Sequence, residues 1–190
     1  IVMPNTTGGA ITRITSTGST LTVSGNITIP RVSSSSNSIV VGAGTLNSAS
    51  ISFTGVSSSS SSIRQQITIT TGVITISGDI TSDNSSSTIS LIKFTGAGTL
   101  NISGALLTSG GTVESYAGST FVYNGINQNI KPITYLGNLK LSGSGTKTFT
   151  TNTSVSGNLE IASGVVANLG SSLSHTLNGS LLLNNVSQIG

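Results

Sequence analysis

The chain has 190 residues, of which only 6% are charged and 4% aromatic, and it contains no cysteine. Seven Lys and Arg against four Asp and Glu give a formal net charge of +3. The cations stand singly, without the positive stripe and stacking aromatics of a nucleic-acid groove, and disulfides and thiolate metal sites are excluded. Abundant Ile, Val and Thr with so little charge do not fit a disordered chain, and nothing reads as a linker, so a single β-rich body is predicted.

The N-terminal Ile1-Val2-Met3-Pro4 is apolar but too short to anchor in lipid, and no run of about 18 apolar residues predicts a membrane span. Met3 is the sole methionine, so the chain reads as a mature or excised piece whose targeting segment has been removed. From Ile11 to Ile29, apolar residues alternate with Thr in short runs, Leu21-Thr22-Val23 and Ile27-Thr28-Ile29 among them, with Gly18 and Gly25 between. This pattern predicts short half-buried strands. Pro30 ends one of them or marks an edge. Ser33 to Ser36 and Ser57 to Ser62 read as polar loops.

One five-residue pattern, apolar-x-Gly-x-apolar, returns throughout. It is centred on Gly25, Gly78, Gly104, Gly157 and Gly179, with a shorter form at Gly137. Leu21 to Thr28 matches Ile74 to Thr81 at an offset of 53, and Gly42 to Asn47 recurs unchanged as Gly96 to Asn101 at an offset of 54. Residues of about 20–70 and 73–120 are therefore two copies of one unit, followed by more regular coils over about 121–190. Rungs of roughly 20–27 residues predict an all-β fold with little or no helix, a single β-solenoid of about eight coils stacked at about 4.8 Å each. In that reading Gly25, Gly78, Gly104, Gly137, Gly157 and Gly179 are turn glycines at corners of positive φ, a conformation that Asp79, in the slot of Asn26 and Asn158, also tolerates.

From Gly111 to Gly164 the chain resembles a known group. Thr120-Phe121-Val122-Tyr123-Asn124-Gly125, then Tyr135-Leu136-Gly137-Asn138-Leu139-Lys140-Leu141-Ser142-Gly143-Ser144-Gly145-Thr146-Lys147-Thr148, then Val155-Ser156-Gly157-Asn158-Leu159, carry the likeness. They are similar to the Ser/Thr/Gly/Asn-rich repeats of large surface proteins exported by Bacteroidetes-type bacteria, commonly through the type IX secretion system. The resemblance implies a secreted, cell-surface, repeat-built protein of adhesin or filament type and not an enzyme. No sorting domain of that export route follows Gly190, which points to a fragment or a self-contained subunit.

No constellation for catalysis, cofactor or metal stands out. His175, the only histidine, has no acid nearer in sequence than Glu160 and reads as an exposed solitary residue. Asp79 and Asp83 would be the pair for polysaccharide chemistry, although Asp79 fits a corner better. Gly42-Ala43-Gly44 and Gly143-Ser144-Gly145 open no helix and read as turns, with Lys147-Thr148 a chance echo of a phosphate loop. Asn5, Asn26, Asn84, Asn101, Asn152, Asn178 and Asn185 stand in Asn-x-Ser/Thr acceptors, and glycans there would help a charge-poor surface stay soluble. Thr68/Thr70, Thr146/Thr148 and Thr148/Thr150 are the candidates for an ice-ordering hydroxyl array, which variable rung lengths argue against.

The expected function is therefore that of an extracellular, non-enzymatic structural protein at the bacterial surface. Solenoid ends present unpaired backbone, so Ile1, Val2 and Met3 at one end and Leu181, Leu182 and Leu183 at the other are candidate assembly ends for a homopolymer, by head-to-tail stacking or strand exchange. The alternative is a surface-glycan-binding adhesin module using outward Tyr116, Tyr123 and Tyr135.

Overall fold

The computed structural model describes residues 2, 9–32, 35–55, 63–83, 89–184 and 188–190. Among them there is no helix, and every strand pairs in parallel with a strand of a neighbouring coil. The fold is the all-β solenoid that the repeats predict.

One sheet runs the length of the stack. Its strands are Thr20–Pro30, Thr45–Thr54, Val73–Ile76, Thr99–Ile102, Thr120–Tyr123, Asn138–Leu141, Leu159–Ile161 and Leu181–Leu183, with Ile80–Ser82 beside the second half of Thr45–Thr54. Its register aligns Leu21, Leu46, Ile74, Leu100, Phe121, Leu139, Leu159 and Leu181 in one inward column. A second column, two residues on, runs Val23, Ser48, Ile76, Ile102, Tyr123, Leu141, Ile161 and Leu183, apolar but for Ser48. Period-two alternation in the sequence thus becomes a continuous apolar core, the like-on-like stacking that stabilises parallel coils. The offsets of 53 and 54 correspond to two coils: Leu21 and Ile74, and likewise Thr45 and Thr99, are separated by one intervening strand of this sheet.

The rest of the cross-section changes midway. In the N-terminal half the second face is a sheet of Ile11–Ile14, Asn37–Val41, Gln65–Ile69, Ser90–Phe94 and Thr112–Glu114. In the C-terminal half two narrower sheets replace it: Gln128–Ile130, Gly145–Phe149, Val165–Asn168 and Gln188–Ile189 form one, and Thr134–Tyr135, Ser154–Val155 and Thr176–Leu177 the other. Aromatic rings fill the junction. Phe121 packs against Phe94 at 4.8 Å between centroids and edge-on against Tyr135 at 5.0 Å.

The motif glycines prove to be two ladders and not one. Gly137, Gly157 and Gly179 stand where the chain enters the long sheet, in line with Gly44, Gly72 and Gly98; Gly25, Gly78 and Gly104 stand where it leaves. None of the six has the expected positive φ, and neither has Asp79. The requirement at five of them is space. A Cβ on Gly137 would lie 2.0 Å from the Ser119 carbonyl oxygen, on Gly157 2.6 Å from that of Gly137, on Gly179 2.2 Å from that of Gly157, and on Gly104 2.4 Å from that of Gly78. The backbone of each coil rests directly on the one below, and only glycine permits that approach. Gly25, in the first coil, would meet nothing within 4 Å.

The residue after the glycine supplies an acceptor. Asn138 Oδ1 accepts the Asn158 N–H at 3.0 Å, Asn158 Oδ1 accepts the Ser180 N–H at 2.9 Å, and Asp79 Oδ1 accepts the Ala105 N–H at 2.7 Å. Asn and Asp are interchangeable here because the bond needs an acceptor oxygen, which both provide.

Candidate functional site

Polar side chains buried inside the coil serve the corners. Gln65 Nε2 donates to the Thr54 carbonyl at 2.7 Å, and Gln128 Nε2 donates to those of Ile102 and Gly104 at 2.9 and 2.8 Å. Lys147, fully buried, stacks on Gln128 and donates from Nζ to the carbonyls of Gly125, Ile126 and Ser144. Burial lowers its pKa to about 8, because desolvation disfavours the ammonium. The echo of a phosphate loop is therefore an inward lysine whose three donors are spent on turns.

Tyr123 and Tyr135, expected outward as glycan contacts, are instead fully buried. Their hydroxyls meet at 3.0 Å; Tyr123 Oη accepts the Lys131 N–H at 3.0 Å and Tyr135 Oη donates to the Lys131 carbonyl at 2.8 Å. Burial pushes Tyr123 up to about 12 and raises Tyr135 as well. The reason is positional: Tyr123 falls on an inward column and Tyr135 on the inward side of its own strand. Tyr116 alone of the three is exposed.

His175, expected exposed and solitary, is half-buried against Phe149 at 4.9 Å. Its Nδ1 accepts the Thr153 N–H at 3.2 Å, and its Nε2 bonds the Leu169 carbonyl at 2.8 Å, which assigns the proton to Nε2. Glu114 pairs with Lys93 at 3.0 Å and Glu160 with Lys140 at 2.9 Å, on different sheets. Among the described residues no group of three or more His, Asp and Glu converges on a metal position. A groove of about 640 Å³ brings Asp79 together with Thr108, Asn127, Asn129, Thr146 and Thr148, without an aromatic or a second acid.

Of the glycan acceptors, Asn5, Asn84 and Asn185 lie outside the described residues. Asn26, Asn152 and Asn178 are exposed and Asn101 half-buried. Asn26 Nδ2 donates to Thr28 Oγ1, Asn101 Nδ2 donates to Thr75 Oγ1, and Asn152 Oδ1 accepts the Ser174 N–H.

The Thr pairs singled out by spacing do not stack. Thr68 lies between Val40 and Lys93, while Thr146 meets Val166 and Thr148 meets Asn129 and Asn168. A regular array exists elsewhere, on the outward face of the long sheet. Thr20-x-Thr22 stacks on Thr45-x-Asn47, then Val73-x-Thr75, Thr99-x-Asn101 and Thr120-x-Val122. The signal was present in the repeated Gly-Ala-Gly-Thr-Leu-Asn; what spacing could not reveal is that Val and Asn rungs fall into the same columns.

Leu181, Leu182, Leu183 and Ile189 are 45–52% exposed, and beneath them lies an apolar cavity of about 170 Å³ lined by Phe149, Val155, Ile161, Leu177, Leu181 and Ile189. Of the opposite candidate end, Val2 is exposed and bridges Thr28, while Ile1 and Met3 lie outside the described residues. No helix among the described residues is long and apolar enough to cross a membrane. No family model, curated protein or solved structure matches this chain.

Proposed function

We propose that this protein is a non-enzymatic structural component of the extracellular bacterial surface, a β-solenoid that self-associates end to end, in keeping with the surface-protein repeats it resembles. The observation that carries the reading is the last coil, where both inward columns finish on half-exposed leucines, Leu181 and Leu183, over an unfilled apolar cavity. Exposed apolar patches of this kind mark interaction surfaces. The occupant is a second copy of the chain. The first strand of the same sheet presents Leu21 and Val23 in the columns that end at Leu181 and Leu183, so a second copy extends the sheet with apolar residue on apolar residue.

Among the described residues, Val2 bridges that first strand at Thr28, and Thr20 and Thr22 are exposed. Only the long sheet reaches both ends, so the joint forms along this sheet while the other faces change width across it. The dispersed acids, two of them held in ion pairs, support a structural role over polysaccharide cleavage. The glycan-binding alternative loses Tyr123 and Tyr135 to the core.

Light scattering across a concentration series, with negative-stain imaging, tests the reading. Rods that lengthen with concentration are expected, and the double variant Leu181→Lys/Leu183→Lys is expected to stay monomeric with an unchanged β spectrum. A wild-type chain that is monomeric at its solubility limit would sink the proposal.

A further inference from the structure

We infer that the outward face of the long sheet, over the five coils headed by Thr20-x-Thr22, is an ice-binding surface. Ten positions in two columns carry only Thr, Asn and Val. The chain's seven cations and four acids all lie off this array. Arg13, Lys93 and Glu114 are on the second sheet, and Lys140 and Glu160 stand on the long sheet only beyond the fifth coil. A charged partner has nothing to pair with here, and without an aromatic a sugar ring has nothing to stack on. A neutral, periodic lattice of water is what the chemistry fits.

The geometry is regular for a physical reason. Parallel strands hold successive coils about 4.8 Å apart, and outward residues two apart on a strand stand about 6.6 Å apart, a rectangular grid on the scale of the rows in an ice surface. Differences in rung length, which argue against regularity when read from the sequence, are absorbed at the corners and the other sheets; the register of the long sheet has no slip over these two columns.

Thr and Val are stiff at χ1, so the methyl and hydroxyl positions are set before water arrives. The asparagines are tied to the grid as well. Asn47 Nδ2 donates to Thr22 Oγ1 at 3.5 Å and Asn101 Nδ2 to Thr75 Oγ1 at 3.2 Å. Methyl groups exclude disordered water while hydroxyls and amides anchor ordered water, so little ordering is left for the moment of contact. This inference stands apart from end-to-end assembly, since the array lies on a side face.

The test is thermal hysteresis of the purified chain, together with its partition into a slowly growing ice hemisphere. Wild type is expected to open a hysteresis gap and enter the ice. Thr99→Tyr and Val122→Lys, each disrupting the grid on a solvent-facing position, are expected to lose both effects at an unchanged melting temperature. Thr68→Tyr, on the second sheet, is expected to retain them. A wild-type chain that is excluded from ice and opens no gap overturns the inference. So does equal loss in Thr68→Tyr, or retention on crystalline cellulose or chitin without any effect on ice. Monomeric protein that still binds ice would refute assembly alone, and rods that ignore ice would refute this inference alone.

Discussion

At the scale of single residues, the recurring glycine acts through the absence of a side chain and not through a special φ. Gly137→Ala places a methyl 2.0 Å from the Ser119 carbonyl oxygen, and because two backbones have to part to admit it, a loss of about 3 kcal/mol or more is expected by urea unfolding. Gly25→Ala, with open space around its Cβ, is expected to change stability by no more than about 0.5 kcal/mol. Equal costs would refute the close-approach account. The buried titratable groups make a second prediction. Lys147, near 8 in the folded chain, returns to about 10.4 on unfolding, so between those values the unfolded chain holds the extra proton and stability rises with pH. Tyr123, pushed up to about 12, ionises near 10 when unfolded, so above that pH the folded chain holds the extra proton and stability falls. The urea midpoint should therefore climb from pH 8, turn over near 10 and decline beyond it. Lys147→Met should flatten the rising limb and Tyr135→Phe soften the falling one; a wild-type profile flat from pH 8 to 12 would contradict both assignments.

At the scale of elements, one sheet runs through the whole stack, with a register shift between Val23 and Asn26 in its first strand, while its partners are exchanged at the Phe94, Phe121 and Tyr135 junction. Its corners are stitched by side-chain acceptors. Asn158→Ala leaves the Ser180 N–H without its partner and is expected to cost about 1 kcal/mol, whereas Asn158→Asp keeps the acceptor, as Asp79 does in its own corner, and should unfold within about 0.5 kcal/mol of wild type. If the Asp variant is as weak as the Ala variant, the ladder is not what holds this corner. The strands themselves were legible, because Thr alternating with Leu, Val and Ile is the imprint of one buried face. The corners were legible only as bends: apolar-x-Gly-x-apolar describes the entry at Gly157 and the exit at Gly78 equally well, since five residues record a change of direction but not which sheet lies on either side.

At the scale of the molecule, the stack has an apolar opening at its last coil and an uncharged grid along one side, and the two call for different partners. Whether copies join end to end is read from particle mass and length, and whether the side face orders water is read from ice; neither experiment depends on the other. The sequence by itself determined that the chain is an all-β solenoid, because inward apolar columns, bends and two-coil repeats are local periodicities that survive in one dimension. It also marked Leu181 to Leu183 as a candidate end. Only the tertiary structure decided that Tyr123, Tyr135 and Lys147 turn inward, that His175 is spoken for by Thr153 and Leu169, and that the Thr, Asn and Val of five coils share one face. Facing and stacking are set by register between residues 18 to 29 positions apart, and with rungs of unequal length no fixed spacing in the sequence reveals which residue lies above which.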